Sequence, residues 1–329
     1  MMTSRELALK AISHERPDTI PATLYVEEKI RNLYGKDFVN DTVRILWEIE
    51  QEKIDSHVFR DPFGVRWERN RASACFIDPP LKEPEAGQIP RIKLLPEGEE
   101  RRIRDIRLAN PDKFIYYQFT MTFGERLWAL RGLEQYLADL IENPGFIHES
   151  LDILLAMHLE ALQTLVLLPI DGITFGDDFG TQRGLMINPN SFRQYFRPRL
   201  AVLYEKVRAA GLVVGAHSCG DNTAIMRDYV QIGLQVFHPL QPECMDISAI
   251  KREYGKDLTF RGGIGVQGSV VYGTPDQVKR DVFHAVQILS RDGGYLMEPC
   301  KPLPPETPVE NVRAFIEAME QARRYDFGD

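Results

Sequence analysis

The sequence predicts an α/β protein, a single (β/α)8 TIM barrel, and three observations carry that prediction. Short apolar runs ending in Gly, Asp, Pro or His recur along the chain. The last five are each followed by a helical pattern, the βα alternation of a parallel sheet. Eight runs can be counted, at Ile20–Tyr25, Ser56–Arg60, Phe114–Phe119, Gly172–Gly176, Leu212–His217, Leu234–His238, Leu258–Gly262 and Gly294–Glu298; eight is the strand number of such a barrel. A doubly wound open sheet is the rival, but no Gly-x-Gly-x-x-Gly turn follows the first run.

The helices announce themselves by their caps. Thr3-Ser4-Arg5-Glu6 reads as a capping box ahead of Leu7, Ala8, Ala11 and Ile12. Asn143-Pro144 opens a pattern running past His158, and Asn188-Pro189 opens one with Phe192, Tyr195 and Phe196 on one face. Thr274-Pro275-Asp276-Gln277 and Thr307-Pro308-Val309-Glu310 each place Thr at the cap and Pro at the first helical position. Asp61–Gly98 breaks the alternation. It reads as a hairpin (Gly64–Asn70, then Ala74–Ile77) and a Pro-rich loop, an insertion at residues 61–98. With no repeat or flexible linker, residues 1–329 read as one domain.

Composition narrows the function classes. The 329 residues are 43% hydrophobic and 27% charged, a globular mix. Forty Lys and Arg against 48 Asp and Glu give a net charge of −8, which argues against nucleic acid as a partner. No apolar run reaches the roughly 18 residues that a membrane span needs. The N-terminus lacks the apolar core of a signal peptide, so a cytoplasmic enzyme with reduced cysteines is expected. The four cysteines are Cys75, Cys219, Cys244 and Cys300.

Working residues of a barrel sit at the C-terminal ends of its strands. Those ends hold Asp177-Asp178, His217-Ser218-Cys219-Gly220, His238-Pro239, Gly262-Gly263 and Glu298-Pro299-Cys300. Residues two apart in an extended segment point the same way, so His217 and Cys219 project together, as do Glu298 and Cys300. Imidazole with two thiols is a zinc donor set that leaves one position open, the mark of a catalytic site. The plain alternative is that these cysteines are small buried hydrophobes. Asp177 is the candidate general acid or base, and one of the two aspartates is expected to cap the following turn. His238 is a substrate contact or a core histidine; Gly263 admits a close ligand or marks a tight turn. Cys75 and Cys244 are read as incidental, and His14, His57, His148, His158 and His284 as structural.

Further motifs run through most of the chain: Phe123-Gly124-Glu125-Arg126-Leu127-Trp128 with Leu130-Arg131-Gly132, Asp171-Gly172-Ile173 through Asp177-Asp178-Phe179-Gly180-Thr181-Gln182, His217-Ser218-Cys219-Gly220, Phe260-Arg261-Gly262-Gly263-Ile264, Gly293-Gly294-Tyr295 and Pro308-Val309-Glu310-Asn311-Val312. With these motifs the sequence resembles the uroporphyrinogen decarboxylase-like superfamily, and within it the zinc- and cobalamin-dependent methyltransferases. The resemblance implies a (β/α)8 barrel. It implies zinc on His217, Cys219 and Cys300. Around Cys300 this chain departs from the family's Gly-rich or His-containing loop, and Glu298 is the candidate for a fourth ligand that substrate displaces; Asp178 and Gln182 join His238 and Gly263 as candidate substrate contacts. It further implies methyl transfer between a corrinoid (cobalamin) on a small partner protein and a thiol or tetrahydrofolate acceptor. The 61–98 segment would be a docking surface for that partner. The decarboxylase proper carries an Arg-rich stretch after its first strand. Here Tyr25-Val26-Glu27-Glu28-Lys29-Ile30-Arg31 is not Arg-rich, and a protein of net charge −8 disfavours a substrate with many carboxylates. A decarboxylase for a smaller acidic substrate and a non-catalytic tetrapyrrole or corrinoid binder are the alternatives.

Overall fold

The computed structural model describes residues 2–24, 38, 40–69 and 74–324. Its centre is a curled, all-parallel sheet of seven strands: β1 (Thr42–Leu46), β6 (Phe114–Phe119), β7 (Gly172–Gly176), β10 (Val213–His217), β11 (Val236–Leu240), β12 (Thr259–Ile264) and β13 (Tyr295–Pro299), in that order. β6, β7, β11, β12 and β13 are buried along their whole length, as strands covered on both faces must be.

Two of the eight expected strands fall elsewhere. The run at residues 20–24 makes a single parallel bridge, Ala22 to Met297 of β13, and Tyr25 lies outside the described residues. Pro21 has no N–H, and side-chain oxygens take two of the next three donors: Ala22 N–H goes to Asp41 Oδ2 (2.8 Å) and Leu24 N–H to Asn40 Oδ1 (2.7 Å), while Thr23 N–H donates to the Met297 carbonyl (2.9 Å). Ser56–Arg60 contributes β3 (Val58–Arg60) to a separate antiparallel sheet with β2 (Glu52–Lys53), β4 (Arg66–Arg69) and β5 (Ala74–Asp78). The expected hairpin therefore belongs to a four-stranded sheet that begins before Asp61; Asn70 lies outside the described residues. In its place β1 joins the parallel sheet. Arg44 interrupts the apolar pattern of that strand because its side chain lines a cavity.

Among the helices, α1 (Ser4–Ile12) closes the capping box between Thr3 and Glu6. α2 (Glu99–Ala109) follows the Pro-rich loop, which buries Leu81, Ala86, Ile89 and Leu94. α3 (Gly124–Arg131) and α4 (Leu133–Glu142) precede the long α5 (Pro144–Leu165). A π-helical turn at Phe192–Phe196 runs into α6 (Arg197–Ala209). α7 (Met226–Gln231), α8 (Ile247–Tyr254), α9 (Pro275–Leu289) and α10 (Val309–Ala322) complete the set used below. Thr274 and Gln277 form the second capping box. Thr307 does not cap: α10 starts after Pro308 without a side-chain cap, and the Thr307 hydroxyl finds no hydrogen-bond partner among the described residues. No described helix is long and apolar enough to cross a membrane.

Two buried carboxylates fasten the end where the strands begin. Asp41 accepts from the Ser4 hydroxyl (2.6 Å), Ala22 N–H (2.8 Å) and the Arg323 guanidinium (2.5 Å). Asp171 accepts from Arg5 (2.6 Å), Arg107 (2.6 Å) and Ile115 N–H (2.7 Å).

Candidate metal centre

At the other end of the sheet a cavity of about 280 Å³ is lined by Arg44, Asp178, His217, Cys219, His238, Glu298, Pro299, Cys300, Lys301 and Pro302. Its donors come from β7, β10 and β13, strands whose C-terminal ends meet there.

β10 delivers His217, and a rigid loop delivers Cys219. Asn222 donates its amide to the carbonyls of Ser218 (3.0 Å), Cys219 (3.1 Å) and Gly220 (3.1 Å), while Ser218 Oγ accepts from Phe179 N–H at 3.0 Å. Gly180 packs against this loop so closely that a Cβ there would stand 2.6 Å from the Cys219 carbonyl oxygen. Gly220, at φ +79°, would place its own Cβ 2.4 Å from the Gly180 carbonyl carbon. Only glycine fits either position. The loop is tied to β7 through Cys219 N–H, which donates to Asp178 Oδ1 at 2.7 Å.

The result is a compact donor set. Cys219 Sγ lies 3.5 Å from His217 Nε2, and Nε2 lies 3.8 Å from Asp178 Oδ1. One ligand atom from each of Asp178, His217 and Cys219 falls within 4.8 Å of the others. Behind them runs a buried polar chain. His217 Nδ1 is 2.7 Å from His238 Nδ1, and His238 Nε2 is 2.7 Å from Glu298 Oε1 in a bent approach. Arg261 Nε is 3.0 Å from the same carboxylate oxygen, and its guanidinium stacks 4.5 Å above Tyr116.

Burial dominates the protonation of these groups. It pushes His217 down to about 4 against the pull of Asp178, and His238 well below the usual imidazole range, with Arg261 helping. It pushes the Cys219 thiol up to about 12, with Asp178 adding to the rise, and raises Cys300 well above the ordinary thiol range. Glu298 is raised by burial although Arg261 pulls it back. An imidazole, a thiol and a carboxylate packed this closely are the nitrogen, sulfur and oxygen donors that a soft-to-borderline divalent cation takes, so the donor chemistry fits zinc.

The structure brings together His217, Cys219 and Asp178, the last expected as a substrate contact and found within the donor cluster. The other expected site residues lie outside that cluster. The Asp177 carboxylate accepts from Phe123, Gly124 and Glu125 N–H (2.8, 2.9 and 2.8 Å), so it caps α3 and is absent from the cavity wall. Burial raises Asp177 to about 7 against those three donors. Glu298 lines the same cavity behind His238, 3.0 Å from the buried Arg261, and is outside the cluster. Gln182 is exposed on the turn between β8 (Gly180–Thr181) and β9 (Gly184–Leu185). Gly263 turns away: a Cβ there would meet Leu289 at 2.3 Å, and the residue lines a different cavity with Glu243 and His284. Cys300 lines the metal-site cavity, but its thiol donates to the Leu240 carbonyl at 3.3 Å and stays outside the cluster. His238 sits within β11 as the partner of His217 and also lines the cavity. Cys219, Cys244 and Cys300 form no disulfide among the described residues.

Sequence reasoning missed Arg44, Lys301, Arg261 and Glu125. Glu125 accepts the Asp178 backbone N–H, and Asp178 and Asp177 add to a rise led by burial. The signal for it and for Arg261 was present, since both stand in the conspicuous Phe-Gly-Glu-Arg and Phe-Arg-Gly-Gly motifs.

Residues 128–322, more than half of the chain, match the uroporphyrinogen decarboxylase (URO-D) family. The fold is similar to that of a methyltransferase from Methanosarcina mazei, at 18% identity and a TM-score of 0.68 over 98% of this chain and 99% of that one. An endo-β-1,6-glucanase aligns at 10% identity with a TM-score of 0.43, over 93% of this chain and 77% of its own. No curated protein matches the sequence.

Proposed function

The chain belongs to the uroporphyrinogen decarboxylase family, and from that premise we propose that it is a zinc-dependent methyltransferase. It would move a methyl group between a corrinoid carried on a small partner protein and a thiol or tetrahydrofolate acceptor. The observation that carries this reading is the Asp178–His217–Cys219 cluster, with Cys300 on the wall of the same cavity. His217 and Cys219 would hold zinc, joined by Cys300 after its thiol leaves the Leu240 carbonyl, or by Asp178. Zinc, when bound, supplies the Lewis acidity that keeps an acceptor thiol deprotonated at neutral pH. The protein's own part is to present neutral His217, to seat the acceptor, and to limit water around it. Arg44 and Lys301 on the cavity wall supply positive charge for an acidic end of that acceptor. A cavity of about 280 Å³ suits a small acceptor and leaves the corrinoid at the mouth, where its carrier protein would dock. The segment at residues 61–98 remains the proposed docking surface, and the run at Ile20–Leu24 the proposed eighth stave of a barrel spanning one domain.

The same two cations favour a second reading, decarboxylation of a small acidic substrate. Metal analysis separates the two. About one zinc per chain, lost in Cys219→Ser, is the expected result. A folded protein that takes up no zinc would remove the methyltransferase reading. Methyl transfer from methylcobalamin to thiols and tetrahydrofolate then tests the activity, and failure with every acceptor would leave a corrinoid binder.

A further inference from the structure

We infer that the loop carrying Cys219 is built in its ligand-presenting shape before any metal arrives, and that Asn222 and Gln241 are the positioning residues that hold it. This deepens the zinc reading and rests on it for its metal-binding consequence; the preformed loop stands on the geometry alone. A buried N–H or carbonyl must find a partner, and in this loop side chains and neighbouring segments supply them.

Each N–H from Ser218 to Asp221 is taken. Ser218 donates to the His238 carbonyl (2.8 Å), Cys219 to Asp178 Oδ1 (2.7 Å), Gly220 to Gln241 Oε1 (3.2 Å) and Asp221 to the Thr181 carbonyl (2.8 Å). On the carbonyl side, His217 accepts from Asp177 N–H at 2.9 Å, and Ser218, Cys219 and Gly220 all accept from the Asn222 amide. Three carbonyls thus share the two hydrogens of one Nδ2. Ser218 settles which way that amide faces. Its Oγ accepts from Phe179 N–H at 3.0 Å, so its own proton goes to Asn222 Oδ1 at 2.8 Å, and Nδ2 is the end turned to the carbonyls.

Three converging carbonyl dipoles repel one another unless a donor sits among them, and Asn222 is that donor here. Ser218 and Asn222 are 0% exposed and Gln241 is 2% exposed, so bulk water does not take over their bonds. The clamp presents one side chain to the cavity. Of residues 218–222 only Cys219 lines it, with Sγ 3.5 Å from His217 Nε2. The restraints come from three places: Asp178 and Phe179 follow β7, the loop itself follows β10, and Gln241 follows β11. A slip of the loop against any of them moves the thiol relative to His217. Donors already in place spare a site the entropy of ordering them when the ligand binds.

Hydrogen exchange, read by mass spectrometry over peptides covering residues 218–222, tests the loop without metal. In the metal-free protein these amides should exchange as slowly as those of β10; rapid exchange there would overturn the inference. Zinc affinity by competition with a chromophoric chelator gives the second readout, and the visible absorption of bound cobalt(II) reports the ligand geometry. Asn222→Ala should weaken zinc by about 10- to 100-fold and shift the cobalt bands, the usual scale for losing a group that orients a ligand. Asn222→Asp keeps the shape but turns an acceptor on the three carbonyls, so it should weaken zinc at least as much. A residue that merely filled space would make Ala the worse change, and that ranking would overturn the role of Asn222. Gln241→Leu should act in the same direction by a smaller factor, and Gln241→Glu, which keeps an oxygen for Gly220 N–H, should recover most of the loss. Folded Asn222 variants with wild-type zinc affinity and cobalt spectrum would also overturn the assignment. Should neither Asn222 variant fold, Gln241→Leu and the wild-type exchange rates decide. A wild-type protein that binds no zinc yet protects these amides would sink the zinc reading and keep the preformed loop.

Discussion

His158 and His238 are buried and His217 is half-buried, and burial lowers the pKa of all three, yet they sit in opposite kinds of surroundings. His158, on α5, faces the rings of Phe119, Phe123 and Phe175 and gives its Nδ1 proton to the Leu154 carbonyl at 2.8 Å. His217 and His238 face each other, a thiol and two carboxylates. Burial pushes both His158 and His217 down to about 4. A depressed pKa is therefore no mark of a site in this molecule. What separates the regions is the set of atoms within reach of the second ring nitrogen.

That contrast can be broken by substitution. Cys219→Ser should have the largest effect at the cavity, a loss of zinc affinity beyond about 100-fold, because it removes a donor itself and not merely its partner. Its thermal melt in the absence of metal should match wild type, and retained stoichiometric zinc would count against the cluster. His158→Ala should do the reverse. It opens a hole among aromatic rings and should cost roughly 2–5 kcal/mol in denaturant unfolding, with zinc affinity preserved.

The pH dependence of stability sharpens the same contrast. The unfolded chain protonates His158 near its ordinary 6.5, whereas the folded protein resists until about 4. Its contribution is complete above pH 6.5 and is lost as pH falls from there toward 4. The loss amounts to roughly 3 kcal/mol. Comparing wild type with His158→Leu across that range isolates it; parallel stability curves would show that the ring protonates freely. Asp177→Ala should cost about 1–3 kcal/mol by stranding the three N–H groups at the start of α3, and leave zinc binding in place. Gln182→Ala, on an exposed turn, should change stability by less than about 0.5 kcal/mol and leave zinc affinity alone.

Much of this layout was legible in the sequence. Phe114–Phe119 and Gly172–Gly176 are strands with the expected bounds, and reading strand ends located His217 and Cys219. Other features depend on partners far away in the chain. Asp177 and Asp178 are adjacent and chemically equal; which one faces the cavity is decided by α3, whose N–H groups, more than 50 residues earlier, claim Asp177. Glu298 and Cys300 do project from one strand end, as the two-residue period requires, but Arg261 on the neighbouring strand captures the carboxylate. Strand β1 escaped notice because Arg44, a cavity residue, interrupts its apolar run. For the two carboxylates the local pattern was sound and a long-range electrostatic demand decided the outcome.

The fastening at Asp41 has a consequence for the order of the chain. Ser4, near one end, and Arg323, near the other, bind the same carboxylate at 2.6 and 2.5 Å. The polypeptide therefore returns almost to its starting point, on the side of the sheet away from His217 and Cys219. A short linker from Arg324 back to Met2, with a new opening cut at the exposed Gln182 turn, would permute the described segment so that each of its strands keeps its neighbours.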